Sequence, residues 1–207
     1  MKKYQDYFAS GAWHVHTNYT DGKSSVDQYC RKAMDNKTPL IAFTEHVRKE
    51  LNYDFDKFVG DIETARKQYP SLIILAGCEA KVIDLEGNLD ATDATLSQCD
   101  IIIGVFHSFT HSDKTNYLIA LTNMLKKQKA DLWGHPTLFA RKNGFTLTMT
   151  EMTEILSICK ECDMIIENNL RYSLPDTNFL DLAKKQAVPV INSGDFHSST
   201  ELDAHEL

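Results

Sequence analysis

Seven short apolar runs alternate along this chain with segments of helical period, and that alternation constrains the fold more than any other feature. The runs span residues 12–16, 39–44, 72–78, 101–107, 131–135, 164–168 and 188–193. They are rich in Ile, Val and Leu and lack polar alternation, as strands covered on both faces of a parallel sheet do. A shorter run, 81–84, reads as an extension of the third strand. The segments between them carry helix signals. Ser24 or Ser25 can cap a helix ending at Asn36, since a short hydroxyl side chain accepts from the free N–H groups of a first turn. Phe55, Phe58, Val59 and Ile62 mark one face of the next helix; Tyr117, Leu121, Met124 and Leu125 mark another that ends in cations. Thr150 or Glu151 is expected to open a helix over Ile155, Leu156 and Cys159, and Pro175 one over Phe179, Leu182 and Ala183. Seven strand–helix units imply an α/β barrel or an open doubly wound sheet. A dinucleotide-binding fold would want a Gly-rich first turn. Here that turn reads His16-Thr17-Asn18-Tyr19-Thr20-Asp21-Gly22.

Side chains that bind metals stand at the C-terminal ends of these runs. The first ends in His14 and His16, the second in Glu45 and His46, the third in Glu79, the fourth in His107, the fifth in His135, and the seventh in Asp195 and His197. On an extended strand, residues two apart share a face at a spacing of about 6.6 Å, so His14 and His16 can reach one ion or two neighbouring ones. In α/β barrels this rim carries the active site. Packing histidines would scatter instead, yet six of the eight lie at strand ends. His111 and His205 have no such position and read as solvated. Imidazoles mixed with carboxylates suit zinc, manganese or iron(II), whereas magnesium or calcium would take oxygen alone. With Asp21 the candidate ligands number nine, His14, His16, Asp21, His46, Glu79, His107, His135, Asp195 and His197. One tetrahedral ion cannot use nine, so two or three ions are expected.

Composition narrows the partners. A chain of 207 residues suits one domain, 1–207. Its net charge of -7 argues against a broad nucleic-acid surface, which needs clustered Lys and Arg, so no nucleic-acid partner is expected. No apolar run approaches the ~18 residues of a membrane span, and Met1-Lys2-Lys3-Tyr4-Gln5-Asp6 lacks an apolar signal core. Five cysteines, an odd number without framework spacing, fit a reducing cytoplasm. Cys159-x-x-Cys162, at a helix end with no second pair, reads as buried thiols rather than a zinc knuckle.

The ordered set His14-x-His16, Thr44-Glu45-His46, Gly77-Cys78-Glu79, Val105-Phe106-His107, Gly134-His135-Pro136 and Gly194-Asp195-Phe196-His197 resembles the PHP (polymerase and histidinol phosphatase) family, and the likeness covers residues 13–197. Glu45 stands where Asp is commoner, and Phe196 where a small residue is usual. The resemblance implies a distorted seven-stranded (β/α)7 barrel with a trinuclear site at the strand ends. By that likeness His14, His16, Glu79 and Asp195 hold one divalent ion, and Glu79 bridges to a second held by His107 and His135. Asp21, His46 and His197 hold a third, with Glu45 as an orienting neighbour of His46. Within the family the pattern is nearest to stand-alone histidinol-phosphatase-like hydrolases, with Glu79, His107 and Asp195 at the centre of catalysis.

Such a site hydrolyses phosphate esters for a physical reason. A water bridging two ions has its pKa lowered towards about 7, so hydroxide is available at neutral pH. Arg171 follows the sixth strand and is expected to fork onto the phosphate. Arg48 and Lys81, two residues beyond His46 and Glu79, are open between substrate contact and surface or neighbour pairing. Tyr172 is expected to wall the pocket and Trp13 to pack in the core. An amidohydrolase-type barrel also begins with H-x-H, but commonly bridges its metals with a modified lysine and ends on a lone aspartate, unlike Glu79 and Asp195-x-His197 here. The small phosphorylated substrate is not legible. Protein-phosphotyrosine hydrolysis stays open, as does a non-catalytic metal-binding module, although such a module would be expected to have lost ligands.

Overall fold

The computed structural model describes residues 1–204; His205 lies outside the described residues. Seven parallel strands pair in chain order: β1 (Ala12–Val15), β2 (Leu40–Val47), β3 (Ile73–Lys81), β4 (Ile101–Val105), β5 (Leu132–Trp133), β6 (Ile165–Asn169) and β7 (Val190–Ser193). Helices α1 (Val26–Asp35), α2 (Phe55–Gln68), α3 (Asp93–Leu96), α4 (Lys114–Lys127), α5 (Leu138–Lys142), α6 (Met149–Glu161) and α7 (Thr177–Lys185) lie between them. The sheet curls until its edges meet. Val15 bridges Phe196, with His16 N–H donating to Phe196 O at 2.8 Å and Phe196 N–H to His14 O at 2.9 Å. The product is a nearly closed α/β barrel.

Local chemistry sets the helix starts. Ser25 and Gln28 form a reciprocal capping box at α1, and Thr148 and Glu151 do the same at α6, which therefore begins before the expected Thr150 or Glu151. Asp176 caps α7, so Pro175 precedes the cap instead of opening the helix. The expected extension 81–84 shrinks to Lys81 within β3 and a single antiparallel bridge from Val82 to Leu89. Helices α3 and α5, and the 3-10 turns Lys2–Tyr7 and Ser199–Ala204, are too short to show a period in the sequence. Cys159 is buried as expected, but Cys162 caps α6 half-buried.

Strand alternation divides the apolar residues into two layers. Leu40, Ala42, Leu75, Ile101, Ile103, Val105, Leu132, Ile165 and Ile191 form one buried cluster with Trp13, made of strand residues alone, and this is the barrel interior. Their strand neighbours Ile41, Phe43, Ile74, Ala76 and Ile166 pack instead with the helices in a larger outer cluster. The interior is narrow: a Cβ on Gly134 would stand 2.6 Å from Ile103 Cγ2 and Val105 Cγ1. The start of the chain closes the floor. Trp13 Nε1 donates to Tyr7 O at 2.9 Å, and the Phe8 and Tyr4 rings stand 5.6 and 6.4 Å from the indole.

Trp13, fully buried and among the largest side chains of the core, fills the apolar floor, so its loss would leave a large void. Trp13→Ala should cost about 3–5 kcal/mol of unfolding free energy, read from urea titration by circular dichroism. A cost below about 1 kcal/mol, the scale of a surface change, would mean that the floor lies outside the cooperative core.

Candidate metal centre

Above the floor, the inward face of each strand turns polar. Strand alternation continues the inward positions of β2 to His46, of β3 to Glu79, of β4 to His107 and of β7 to Asp195, whereas His135 directly follows the inward-facing Gly134 and breaks the alternation of β5. In β1, three residues separate Ala12 from Val15 where β2 takes two from Ile41 to Phe43, a bulge. Its extra residue lets Trp13 join the floor while His14, directly after it, still reaches the polar rim. His135 and Asp195 have backbone φ of 27° and 50°. Left-handed conformations of this kind are strained in non-glycine residues and cluster at functional sites.

The structure brings all nine ligand-type side chains together in three overlapping groups. His14, His16 and Asp195 form one, with His14 Nε2 3.6 Å from Glu79 Oε1 and His16 Nε2 3.6 Å from Asp195 Oδ1. Glu79, His107 and His135 form the second: both Nε2 atoms lie 2.9 Å from Glu79 Oε1 and 3.0 Å from each other. In the third, His46 and His197 converge with His16, and Asp21 Oδ2 lies 3.2 Å from His46 Nε2 and 3.5 Å from His197 Nε2. His46 Nδ1 closes the set, 2.5 Å from Glu79 Oε2. His111, by contrast, is exposed and away from the groups.

Electrostatics follow from packing six imidazoles among carboxylates. Burial alone would lower the pKa of His14, but Glu167, Asp195 and Glu79 outweigh it and raise it to about 10. His46, likewise resisting burial, is raised to about 10 by Asp21 and Glu79. His16 is fully buried beside His14, His46 and His197, and is pushed well below the ordinary imidazole value. Glu79 would be raised by burial, but its bonds to His107 and His135 and the close approach of His46 hold it well below the usual carboxylate range.

The donor set fits metal ions on a separate observation. His14 Nε2, both ring nitrogens of His16 and Glu79 Oε2 are buried without a hydrogen-bond partner; the short approach of His46 to Glu79 Oε2 lacks hydrogen-bond geometry. Four such atoms gathered in one place would each cost about 1–3 kcal/mol if left unsatisfied. Divalent cations would satisfy His14 Nε2, one nitrogen of His16 and Glu79 Oε2, and nitrogen mixed with oxygen suits zinc, manganese or iron(II). A ligating ring must be neutral, so an entering ion would displace the protons held on His14 and His46.

Residues behind the groups fix their orientation. Glu167, fully buried on β6, accepts from His14 Nδ1–H at 2.6 Å and from the backbone N–H of His135. This bond turns His14 Nε2 towards Glu79. Asn169 Nδ2–H donates to Asp195 Oδ2 at 3.3 Å. These two have no role in the ligand pattern of the sequence, although Glu167 lies near the end of the sixth run and Asn169 directly after it, where the other runs end in ligands. Glu45 differs from its expected place beside His46. Alternation puts it on the opposite face of β2, where it accepts from Thr17 N–H at 2.7 Å and from the Thr20 hydroxyl, and so ties down the loop that carries Asp21.

The cations stand on two sides of the rim. Arg171 Nη1 donates to Asp195 O at 3.1 Å and lies 3.6 Å from Glu201 Oε2, which places its guanidinium beside the first group. Tyr172 meets the His135 ring edge-to-face at 5.8 Å. Arg48 and Lys81 line a cleft of about 430 Å3 against Asp21, His46 and His107 on the other side.

Because Glu167 sets the His14 tautomer, Glu167→Gln should weaken zinc binding by about 10–100-fold, measured by competition with a chromogenic chelator. Unchanged zinc affinity in a folded variant would remove its positioning role.

Comparison with known proteins places this geometry. A DNA polymerase/3'-5' exonuclease PolX of Bacillus subtilis is 23% identical over 203 residues, 93% of this chain, which spans only 35% of that protein's length. A Thermoanaerobacter protein named "Probable phosphatase" is 26% identical over 205 residues, covering 93% of this chain and 81% of that one. Among solved structures, histidinol phosphate phosphatase of Lactococcus lactis, complexed with zinc, L-histidinol and phosphate, superposes with a TM-score of 0.69 at 16% identity, over 92% of this chain and 87% of that one. A "putative histidinol phosphatase" of Listeria monocytogenes gives 0.73, also at 16%, over 93% and 97%. These two likenesses show a shared fold. Residues 13–171 match the PHP domain model, and the chain therefore belongs to the PHP family.

Proposed function

We propose that this chain is a metal-dependent phosphoesterase that hydrolyses a small phosphomonoester at the barrel rim. The observation that carries the reading is the convergence of nine ligand-type side chains with four buried, partnerless donor atoms, in a PHP-family barrel. Relatives named as phosphatases support the class of reaction. The Lactococcus lactis structure, with histidinol and phosphate bound, supports a small substrate. So do the cleft of about 430 Å3 and a net charge of -7, neither of which suits a long polyanion.

Three divalent ions are assigned to the three groups: one to His14, His16, Glu79 and Asp195, a second to Glu79, His107 and His135, and a third to Asp21, His46 and His197. When bound, such ions would lower the pKa of a coordinated water towards neutrality and would neutralise charge on the phosphoryl oxygens. Glu79 presents one oxygen to His107 and His135 and the other to His46, so a single carboxylate ties the groups together. Arg171, anchored on the Asp195 carbonyl, has further N–H groups free to fork onto a phosphate. Tyr172, edge-to-face on the His135 ring, would flank a substrate on that side.

The test is turnover by protein stripped with chelator and reloaded separately with zinc, manganese or iron. A generic aryl phosphate and a panel including histidinol phosphate and a phosphotyrosine peptide should show hydrolysis that vanishes on chelation and returns with metal. Glu79→Gln should lower kcat on the order of 100-fold or more and release metal. No hydrolysis under any metal would replace the enzyme with a metal-binding module, and selective turnover of the peptide would replace the metabolite reading.

Arg171→Ala should raise KM on the order of 10-fold, the worth of one charge-assisted bond, with metal content unchanged. Wild-type kinetics would remove its phosphate role, and metal loss would make it a structural brace of Asp195.

A further inference from the structure

Beside the candidate centre, on the side away from Arg171, two cations share one face. In β2 and β3, His46 pairs with Glu79 and Val47 with Ala80. Continuing that register by one step sets Arg48 next to Lys81. Both are two residues beyond the cluster residues His46 and Glu79, so they rise from the same inward-facing rows, about 6–7 Å further out. They line one cleft with Asp21, His46 and His107.

Among the described residues neither cation has a carboxylate within ion-pair distance. The nearest polar partner of Lys81 Nζ is Ser108 Oγ, at 3.4 Å. Some cations elsewhere do pair with carboxylates, among them Arg31 with Asp27, Arg66 with Glu63 and Asp100, Lys114 with Glu151 and Lys129 with Asp93, but within this cleft the two do not. Glu50 lines the same cleft but pairs with neither. Two like charges side by side, without a counterion, repel each other. An anion lying between them would turn that repulsion into attraction.

We propose that Arg48 and Lys81 form a subsite for a second anionic group of the substrate. This rests on the phosphomonoesterase reading and deepens it: the phosphoryl group lies at the metal groups, and the leaving group carries a carboxylate or a further phosphate roughly two residues' rise away, about 6–7 Å. Neutral or cationic leaving groups then leave the two charges uncompensated and bind less well. The subsite selects among monoesters by charge, while the chemistry stays at the cluster.

The test reads binding apart from turnover. Benzylphosphonate, which cannot be hydrolysed, is compared with its 4-carboxy and 4-phosphono derivatives by calorimetry on zinc-loaded protein. In wild type the added anion should tighten binding about tenfold or more, and the larger gain of the two tells a carboxylate from a phosphate substrate. In Arg48→Ala and in Lys81→Ala the ratio between charged and uncharged ligands should fall towards one, and Arg48→Lys should restore part of it. No gain from the added anion in wild type, or a gain that survives both alanine variants, overturns the subsite; so does failure of all three phosphonates to bind. Charge discrimination in a protein that hydrolyses no phosphomonoester would instead overturn the phosphoesterase reading and leave the subsite standing.

Discussion

The rim depends on one buried carboxylate. Glu79 is 2% exposed and stands among His107, His135 and His46, with His14 just beyond bonding distance. A lone ion at that depth would be driven to neutrality. Here the surrounding rings hold it charged, and it in turn raises His46 and His14. The charges are mutually conditional: removing the carboxylate leaves imidazolium against imidazolium, and removing the rings leaves a buried anion. Such a set persists only where the barrel fixes each partner in place.

The barrel does so by dividing labour along each strand. The lower half of the inward face is apolar and closed by Trp13 and the first residues of the chain, so the fold does not rely on the polar rim for its cohesion. The upper half is held by side chains one step behind the ligand-type residues. Glu167 grips His14 and the backbone of His135; Asn169 steadies Asp195; Glu45 fastens the loop that brings in Asp21. His135 and Asp195, both at the rim, carry left-handed backbone, a strained conformation for residues other than glycine.

The distribution of cations adds direction to this rim. Arg171 stands on the β6–β7 side, tied to Asp195, while Arg48 and Lys81 stand above β2 and β3. A molecule with two negative ends therefore meets positive charge on both sides of the cluster, whereas the rest of the surface is acidic on balance. Long-range attraction is weak in such a protein, and selection falls to contacts within the cleft.

Much of this was legible in the residues. Runs without polar alternation require strands covered on both faces, which only a parallel sheet wrapped in helices provides, so the α/β class and its seven strands follow from hydrophobicity alone. The ligand-type residues are legible for a similar reason: a His, Glu or Asp that ends an apolar run has one place to go, the rim. What the sequence left open were the relations between strands that depend on closure. Whether seven strands form an open sheet or a barrel is decided by the bonds between the segment after β7 and β1, some 180 residues apart, and no local pattern encodes them. The bulge in β1 is equally invisible, since it exists only in register with β2. It also decides that Trp13 and His14, adjacent in sequence, both serve the interior. Glu45 and Glu167 show the same division. Both are acidic residues near strand ends, yet pleat parity sends one outward to a loop and the other inward to His14, because a side chain's face is fixed by pairing and its chemistry only by what pairing brings beside it.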